Sequence, residues 1–332
     1  MFVFDNKKKF LFYLSLLFII LILIKYFVPN DFFIFKKDNI DSTDTSRKKI
    51  KIATALESTR SFLELVQDEF KNKGVDLEIV FLNGQYIRTN QLLLTDNVFA
   101  TLDSHLPFAL MHNKSIREKM SDGKIIIAHP FYFAKIGLYS IPSREKTKDI
   151  KDIKELRTKL SSSSETFSIL MPAEAEQQSL FLLFLKHMQL IQLKSGINKE
   201  KYFDENDFII PNNLQIIKQE NLLSLCNRFR SDQNIDFLVN YPGILGKEKK
   251  TLKLVANLDI PSDPESYFFD YTISLITKEK NINSEEIKLI KEILSQQEFI
   301  DNFNSKHIST LEMVPIDKMN KIISNVNEKY SS

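Results

Sequence analysis

Hydrophobic positions change their period several times along this chain, and each change marks an element. Phe10 to Ile24 is an unbroken apolar run that continues past Lys25 through Tyr26, Phe27 and Val28, with Lys7, Lys8 and Lys9 before it. A helix needs about 20 apolar residues to span a bilayer, and this stretch reaches that length if Lys25 snorkels to the interface. The flank Tyr26-Phe27-Val28-Pro29-Asn30-Asp31 lacks the small-residue pattern of a cleaved signal peptide, and no cysteine follows for acylation. The expectation is an uncleaved signal anchor over residues 1–28, a single-pass transmembrane helix. Its alternatives are cleavage at an atypical site or a buried core helix. The three lysines place its amino-terminal side in the cytoplasm and the rest of the chain outside. Residues 29–48, polar and charged, read as a tether.

Beyond the tether, period two alternates with period 3.6. Ile50 to Ala55 predicts a strand, and Phe62, Leu65, Val66 and Phe70 follow helical spacing. Ser58 or Thr59 is the expected cap of that helix, or Ser61 with Glu64 as a capping box if it starts later. Lys71, Lys73 and Gly74 end it, and Leu77 to Phe81 is the next strand. Strand, helix and strand with short connections predict a parallel, right-handed βαβ unit. Ile87–Leu94 then reads as a helix and Val98–Leu102 as a strand. Ile125–Ile127, Ile136–Tyr139 and Phe167–Leu170 are further strands, separated in the last case by a polar helix at 150–160 and a loop at 161–164. Glu174 to Met188 is a long apolar helix. Phe237–Val239 is a short strand ending at Asn240, followed by an exposed turn over 243–250. Tyr271–Ile276 is a strand, and Ser284 caps a helix with Ile287, Ile290 and Leu294 on one face. Alternation throughout argues for an α/β architecture.

Charge narrows the function classes. Lys and Arg number 45 against 43 Asp and Glu, a net +2, which gives no support for nucleic-acid binding. A single cysteine, Cys226, excludes an internal disulfide framework and thiolate metal clusters. Asp103, Ser104 and His105 are adjacent, but a catalytic set is defined by geometry, and neighbours in one turn seldom face one another. No enzyme activity is expected. His105, Asp103 and His129 are the residues a metal receptor would draw on, although scattered histidines are more often structural. Neither a bound metal nor a cofactor is expected.

Several segments together resemble the methionine-binding lipoprotein (NlpA-type) family of ABC-importer receptors. Asp76-Leu77-Glu78-Ile79-Val80 with Tyr86 and Asn90 is similar to that family's second strand and following helix. His105-Leu106-Pro107-Phe108 resembles its His-x-Pro-aromatic turn, and Gly137-Leu138-Tyr139-Ser140 its hinge strand. Leu190 to Gly196 and Tyr271 to Phe303 fit in the same order, so the resemblance runs from about residue 49 to 325. It implies a two-lobed, type II periplasmic-binding-protein-like fold. Lobe one would comprise 49–135 and return over 256–332, and lobe two 136–255. The implied function is an extracytoplasmic substrate-binding protein of an ABC importer, capturing methionine, a related amino acid or a short peptide. Its partners would be an ABC permease with its ATPase and, through the anchor, the membrane. The rival readings are a surface or adhesive protein that kept the fold and lost transport, and a metal-binding receptor.

The same resemblance puts Tyr86 and His105 on the pocket that holds the ligand's side chain, and Asn240 near an asparagine that bonds its polar end. It also shows departures. Leu180 stands where the family has a carboxylate-binding arginine, Gln177 where it has an asparagine, and Ala134 where it has a glutamate. Paired aromatics before the histidine become Leu102 and Asp103. Arg60 and Arg88 are the candidates to replace the missing cation. Phe108 and Tyr132 read as core rather than as ligand contacts, and His105 has an alternative role as the cap of the turn before Pro107.

Overall fold

The computed structural model describes residues 47–197, 202–220 and 222–330. The expected anchor and nearly all of the tether lie outside the described residues. Among the described residues no helix is long and apolar enough to cross a membrane.

The first described strand, β1 (Lys48–Thr54), buries Ile50 and then Ile52 to Thr54 as it passes into the sheet interior. Helix α1 (Glu57–Asn72) buries Phe62, Leu63, Val66 and Phe70 on one stripe. Gly74, at φ 77°, turns the chain out of the helix, a conformation that costs other residues a steric clash. β2 (Val75–Phe81) then pairs in parallel with β1 over its whole length, as the βαβ spacing predicts. The cap differs from expectation. Leu56 occupies the N-cap without a side-chain bond, and the Ser58 and Thr59 hydroxyls lie 3.2 and 3.3 Å from the Tyr132 hydroxyl instead. Nor does Ser61 form a capping box, because Glu64 accepts from Arg60 Nε at 2.8 Å.

The chain continues through α2 (Tyr86–Leu94), β3 (Ala100–Ser104), α3 (Leu106–His112), the single turn α4 (Lys114–Arg117) and β4 (Ile125–Ala134). After Lys135 alone it enters β5 (Ile136–Ser140), which belongs to a different sheet. Next come α5 (Ile153–Ser162), β6 (Phe167–Pro172) and α6 (Ala175–His187), then a small ribbon of β7 (Gln192–Leu193) with β8 (Phe208–Ile209). Ser161 and Ser162, expected in a loop, close the end of α5 by donating to the Thr158 carbonyl at 2.9 and 2.7 Å. β9 (Leu214–Gln219), α7 (Leu225–Ser231), β10 (Phe237–Asn240), the turn α8 (Pro242–Leu245) and β11 (Lys253–Leu258) complete this part. The chain crosses back and finishes with β12 (Ile273–Lys278), α9 (Glu285–Leu294), α10 (Gln297–His307), β13 (Leu311–Met313) and α11 (Ile316–Lys329). Ser284 caps α9 as expected, accepting from Ile287 N at 3.3 Å.

Two mixed sheets result, both in the unit Lys48–Ser332. The first has six strands in the order β13-β4-β12-β3-β1-β2, and the second five in the order β11-β5-β10-β6-β9. Each has its own apolar core. Ile52, Phe62, Leu102, Phe131 and Ile290 build one on the first sheet. Helix α6, with Leu180 to Leu185 buried all round, fills the other against Phe167, Ile169 and Val239, as a helix with no polar face must. Lys135, at the first crossing, donates its amide to the Thr310 carbonyl. Its ammonium lies 3.7 Å from Asp259, near the second crossing, and 3.4 Å from Glu312.

Candidate functional site

Parallel strands leave their last residues at one edge of a sheet, and ligands of open α/β sheets gather there. The carboxyl ends of β1, β3, β6 and β10 meet around a cavity of about 300 Å³ that takes residues from both sheets. The six-stranded side contributes Leu56 and Ser58 after β1, Tyr86 at the start of α2, and Asp103, Ser104, His105 and Phe108 at the β3–α3 junction. Tyr132 to Ala134 at the end of β4, Tyr271 and Ile273, and Thr310 and Leu311 at the start of β13 complete that wall. The five-stranded side contributes Glu176, Gln177 and Leu180 from the first turns of α6, and Tyr241, Gly243 and Ile244 after β10. A larger depression of about 550 Å³ beside α5, lined by Lys154, Arg157 and Gln189, is open to solvent and draws on the five-stranded side alone. The cavity between the sheets has the convergent polar groups expected of a small-molecule site.

Rings form most of its wall. His105 lies 5.1 Å from Tyr271 and 5.9 Å from Phe108, both edge to face, and Tyr86 meets Phe108 at 6.3 Å. His105 also caps α3, its Nδ1 accepting from Phe108 N at 3.2 Å. The two roles considered for this residue therefore coexist. Part of its ring is accessible from the cavity, yet desolvation and then the neighbouring His112 hold it well below the ordinary imidazole range. It is neutral near pH 7, with Nδ1 as acceptor and the proton on Nε2. Phe108 and Tyr132, read from the sequence as core, both line the cavity. Burial pushes the Tyr132 phenol up to about 12 and raises Tyr241 and Tyr271 as well, so these hydroxyls stay neutral. Tyr271 Oη lies 2.7 Å from Ser179 Oγ, which ties the six-stranded wall to α6. Tyr241 donates to Gln177 Oε1 at 2.6 Å.

Two carboxyl groups face this space. Glu176 sits in the first turn of α6, 4.0 Å from His112 Nε2. Asp103 is 1% exposed, and neither of its oxygens has a hydrogen-bond partner. Desolvation raises it to about 7; the Thr89 and Ser104 hydroxyls and the Ala55 amide lie close enough to lower it in part, but none reaches an oxygen with ordinary hydrogen-bond geometry.

Of the sequence candidates, Tyr86, His105 and Gln177 come together on the cavity wall. Asn240 lies directly behind it. Fully buried, it accepts the Tyr241 amide at 2.8 Å, while its Nδ2 has no partner. Arg60 and Arg88 are not on the wall. Arg60 pairs with Glu64 and Glu57 and covers the Phe81 ring. Arg88 is exposed, 3.3 Å from Gln85 Oε1. Four of the five departures, Asp103, Ala134, Gln177 and Leu180, line the cavity, and the fifth, Leu102, is buried in β3. Tyr241 and Tyr271 went unnoticed as site residues because only the chain's crossings bring them here. The Asp103–Ser104–His105 run builds no Ser–His pair: Ser104 Oγ accepts from Asn90 and His105 Nδ1 is occupied by Phe108. His129 is buried in β4, away from the cavity wall. Among the described residues no group of three His, Cys, Asp or Glu side chains can hold a metal ion.

Comparison with known proteins bears on this arrangement. The family model of the NlpA lipoprotein matches residues 50–316. No curated protein sequence matches. Among solved structures, a YaeC-family lipoprotein from Enterococcus faecalis superposes with a TM-score of 0.64 at 22% identity, covering 81% of this chain and 100% of that one. A Bacillus subtilis lipoprotein named for proposed methionine binding gives 0.59 at 19% identity, covering 80% and 98%. A periplasmic substrate-binding protein of an ABC transporter from Coxiella burnetii gives 0.56 at 17%, covering 80% and 100%.

Proposed function

The chain belongs to the NlpA lipoprotein family, and from that premise we propose that it is the extracytoplasmic substrate-binding component of an ABC importer. The observation that carries this reading is the cavity itself. Its wall is split between two sheets with separate cores, joined by the crossings at Lys135 and after β11. A ligand lodged there contacts both sheets at once and stabilises their closed arrangement, the state a permease would read. Residues 49–135 with 259–332 act as one lobe and 136–258 as the other, since β11 pairs with β5 through Leu258, three residues beyond the expected boundary; Lys135, Asp259 and Glu312 lie at the hinge. At about 300 Å³ the cavity suits an amino-acid-sized molecule. Rings on several sides favour an apolar or thioether chain, and Tyr241 and Gln177 supply hydroxyl and amide groups at the other face, with Asn240 behind them.

Membrane attachment through residues 1–28 belongs to the same reading. The sole cysteine, Cys226, is buried within α7 and is no substitute for an amino-terminal acylation site. The direct test is mass spectrometry of whatever small molecule is released when the full-length chain, extracted in mild detergent, is denatured. A stoichiometric compound, lost when Gly243→Trp fills the cavity, supports the receptor reading. A compound retained at full occupancy by that variant overturns the placement of the site.

A further inference from the structure

The cavity has a charge character of its own. Among the described residues no lysine or arginine lines it, whereas Asp103 and Glu176 both do. His105 brings no positive charge near neutral pH, and the phenols bring no negative one. The net charge offered to a ligand is therefore negative. Among the described residues an anion would find only neutral donors there, such as His105 Nε2, the phenols and the Gln177 amide, and the amino terminus of α6. That terminus already carries Glu176 in its first turn, which complements the helix dipole from within the chain.

Asp103 makes the point sharper. A buried carboxylate ordinarily collects two or three donors, because desolvation without compensation costs several kcal/mol. Both oxygens of Asp103 lack a partner although the residue is 1% exposed on the cavity wall. Of the nearby hydroxyls, Thr89 Oγ1 donates to the Tyr86 carbonyl at 2.7 Å, while Ser104 Oγ accepts from Asn90 and keeps its own proton, without ordinary hydrogen-bond geometry toward either Asp103 oxygen. Aromatic faces around a carboxylate are the surroundings in which an organic cation is bound well, by a charge-assisted hydrogen bond and by ring quadrupoles together.

Resting on the receptor reading, we infer that the cargo is a small organic cation: a protonated amine on an apolar or thioether chain, without a free carboxylate at that end, held by the Asp103 carboxylate. A zwitterionic amino acid would satisfy Asp103 with its ammonium but bury its own carboxylate in a space that already holds Glu176 and no cation. An inorganic cation is a poorer match, since no three metal-ligating side chains converge among the described residues.

The binding follows pH in a defined direction. The titratable groups around Asp103 are the Tyr86 and Tyr132 phenols and His105, with Glu176 and its neighbour His112 across the cavity; the phenols and His105 carry no positive charge near neutrality. Asp103 must lose its proton to pair with an ammonium. Affinity is therefore full above about pH 7 and falls roughly tenfold per unit below it, until the lowered midpoint of the complex is reached.

The test uses four compounds with one thioether chain on the full-length chain in mild detergent: 3-(methylsulfanyl)propylamine, L-methioninamide, L-methionine and 4-(methylsulfanyl)butanoate. Calorimetric titration at pH 8 is expected to rank the two amines at least tenfold tighter than L-methionine, with the acid not binding. The two amines separate a simple amine from the amino terminus of an amide or peptide. Asp103→Asn, nearly isosteric, should weaken amine binding by about 30-fold or more and flatten its pH profile. A second readout needs no variant: between pH 6 and 7 amine binding releases a proton, seen as a heat that varies with the buffer's ionisation enthalpy. L-methionine binding as tightly as the amines, amine binding indifferent to Asp103→Asn, or no proton release overturns the inference and leaves the receptor reading standing. If none of the four binds, the inference also fails. A different small molecule released on denaturation then preserves the receptor reading, and an empty chain counts against both.

Discussion

Two aspartates of this molecule are equally buried and differently treated. Asp236, 3% exposed just before β10, accepts from Ser168 N at 2.8 Å, Ser168 Oγ at 3.0 Å and Lys146 Nζ at 2.7 Å. Asp103, 1% exposed at the end of β3, has no partner on either oxygen. Buried Lys278 follows the first pattern, bridged to Asp96 at 2.7 Å and Asp122 at 3.0 Å. Where a buried charge only holds the fold, then, the chain supplies its counter-groups. Asp103 sits at the carboxyl edge of a central strand, facing a cavity, and among the described residues no cation lines that cavity and no hydrogen bond of ordinary geometry reaches its oxygens. That contrast is the ground for the proposal that Asp103 is a binding group rather than a structural one.

The largest effect should come from breaking the satisfied member of the pair. Asp236→Ala leaves Lys146 and the Ser168 amide without their acceptor, and urea denaturation should show a loss of about 3–5 kcal/mol. The unsatisfied member should behave oppositely. Between about pH 4 and pH 7 the folded state holds a proton on Asp103 that the unfolded chain has released, so stability falls as pH rises through that window. Asp103→Asn removes this penalty. Its ligand-free chain should gain about 4 kcal/mol at pH 8 and less than about 1 kcal/mol at pH 4, read as a Tm difference that grows with pH. A loss of stability at pH 8 would mean that Asp103 has a structural partner after all.

Smaller effects mark the intermediate cases. Lys135 is partly buried, but its partners Asp259 and Glu312 are more open. Lys135→Ala should cost less than about 1 kcal/mol and be masked by salt, and a larger loss would show that the crossings are held more tightly than ion pairing explains. Smallest of all are Arg60→Ala and Arg88→Ala. Both side chains are engaged away from the cavity, with Glu64 and Gln85. Stability should change by no more than about 0.5 kcal/mol, and calorimetric titration with 3-(methylsulfanyl)propylamine should show its affinity unaltered.

How far the sequence reached follows from the same physics. Strands buried on both faces, such as Ile125–Ile127 and Phe237–Val239, were legible as apolar runs, and α6 as an apolar helix. β9 and β11 were not, because they are the two edges of the five-stranded sheet. An edge strand keeps polar residues such as Lys218 and Lys253, which dilutes its period. The candidates Tyr86, His105 and Gln177 came from the family resemblance, and Leu180 marked the missing cation. Asp103 was visible as a charge ending an apolar strand, Ala100-Thr101-Leu102, but its lack of a partner is a property of three-dimensional neighbours. Tyr241 and Tyr271 line one cavity from opposite sides only because the chain crosses between sheets, and no local pattern encodes that.

The ionisation of Asp103 itself, followed by carbon NMR of aspartate-labelled protein and assigned with Asp103→Asn, tests the account most directly. In the empty chain the midpoint should lie near 7, and saturation with 3-(methylsulfanyl)propylamine should lower it by more than one unit. A midpoint already in the ordinary carboxylate range, or one that the bound amine leaves unmoved, would contradict the assignment of this carboxylate to a cationic cargo.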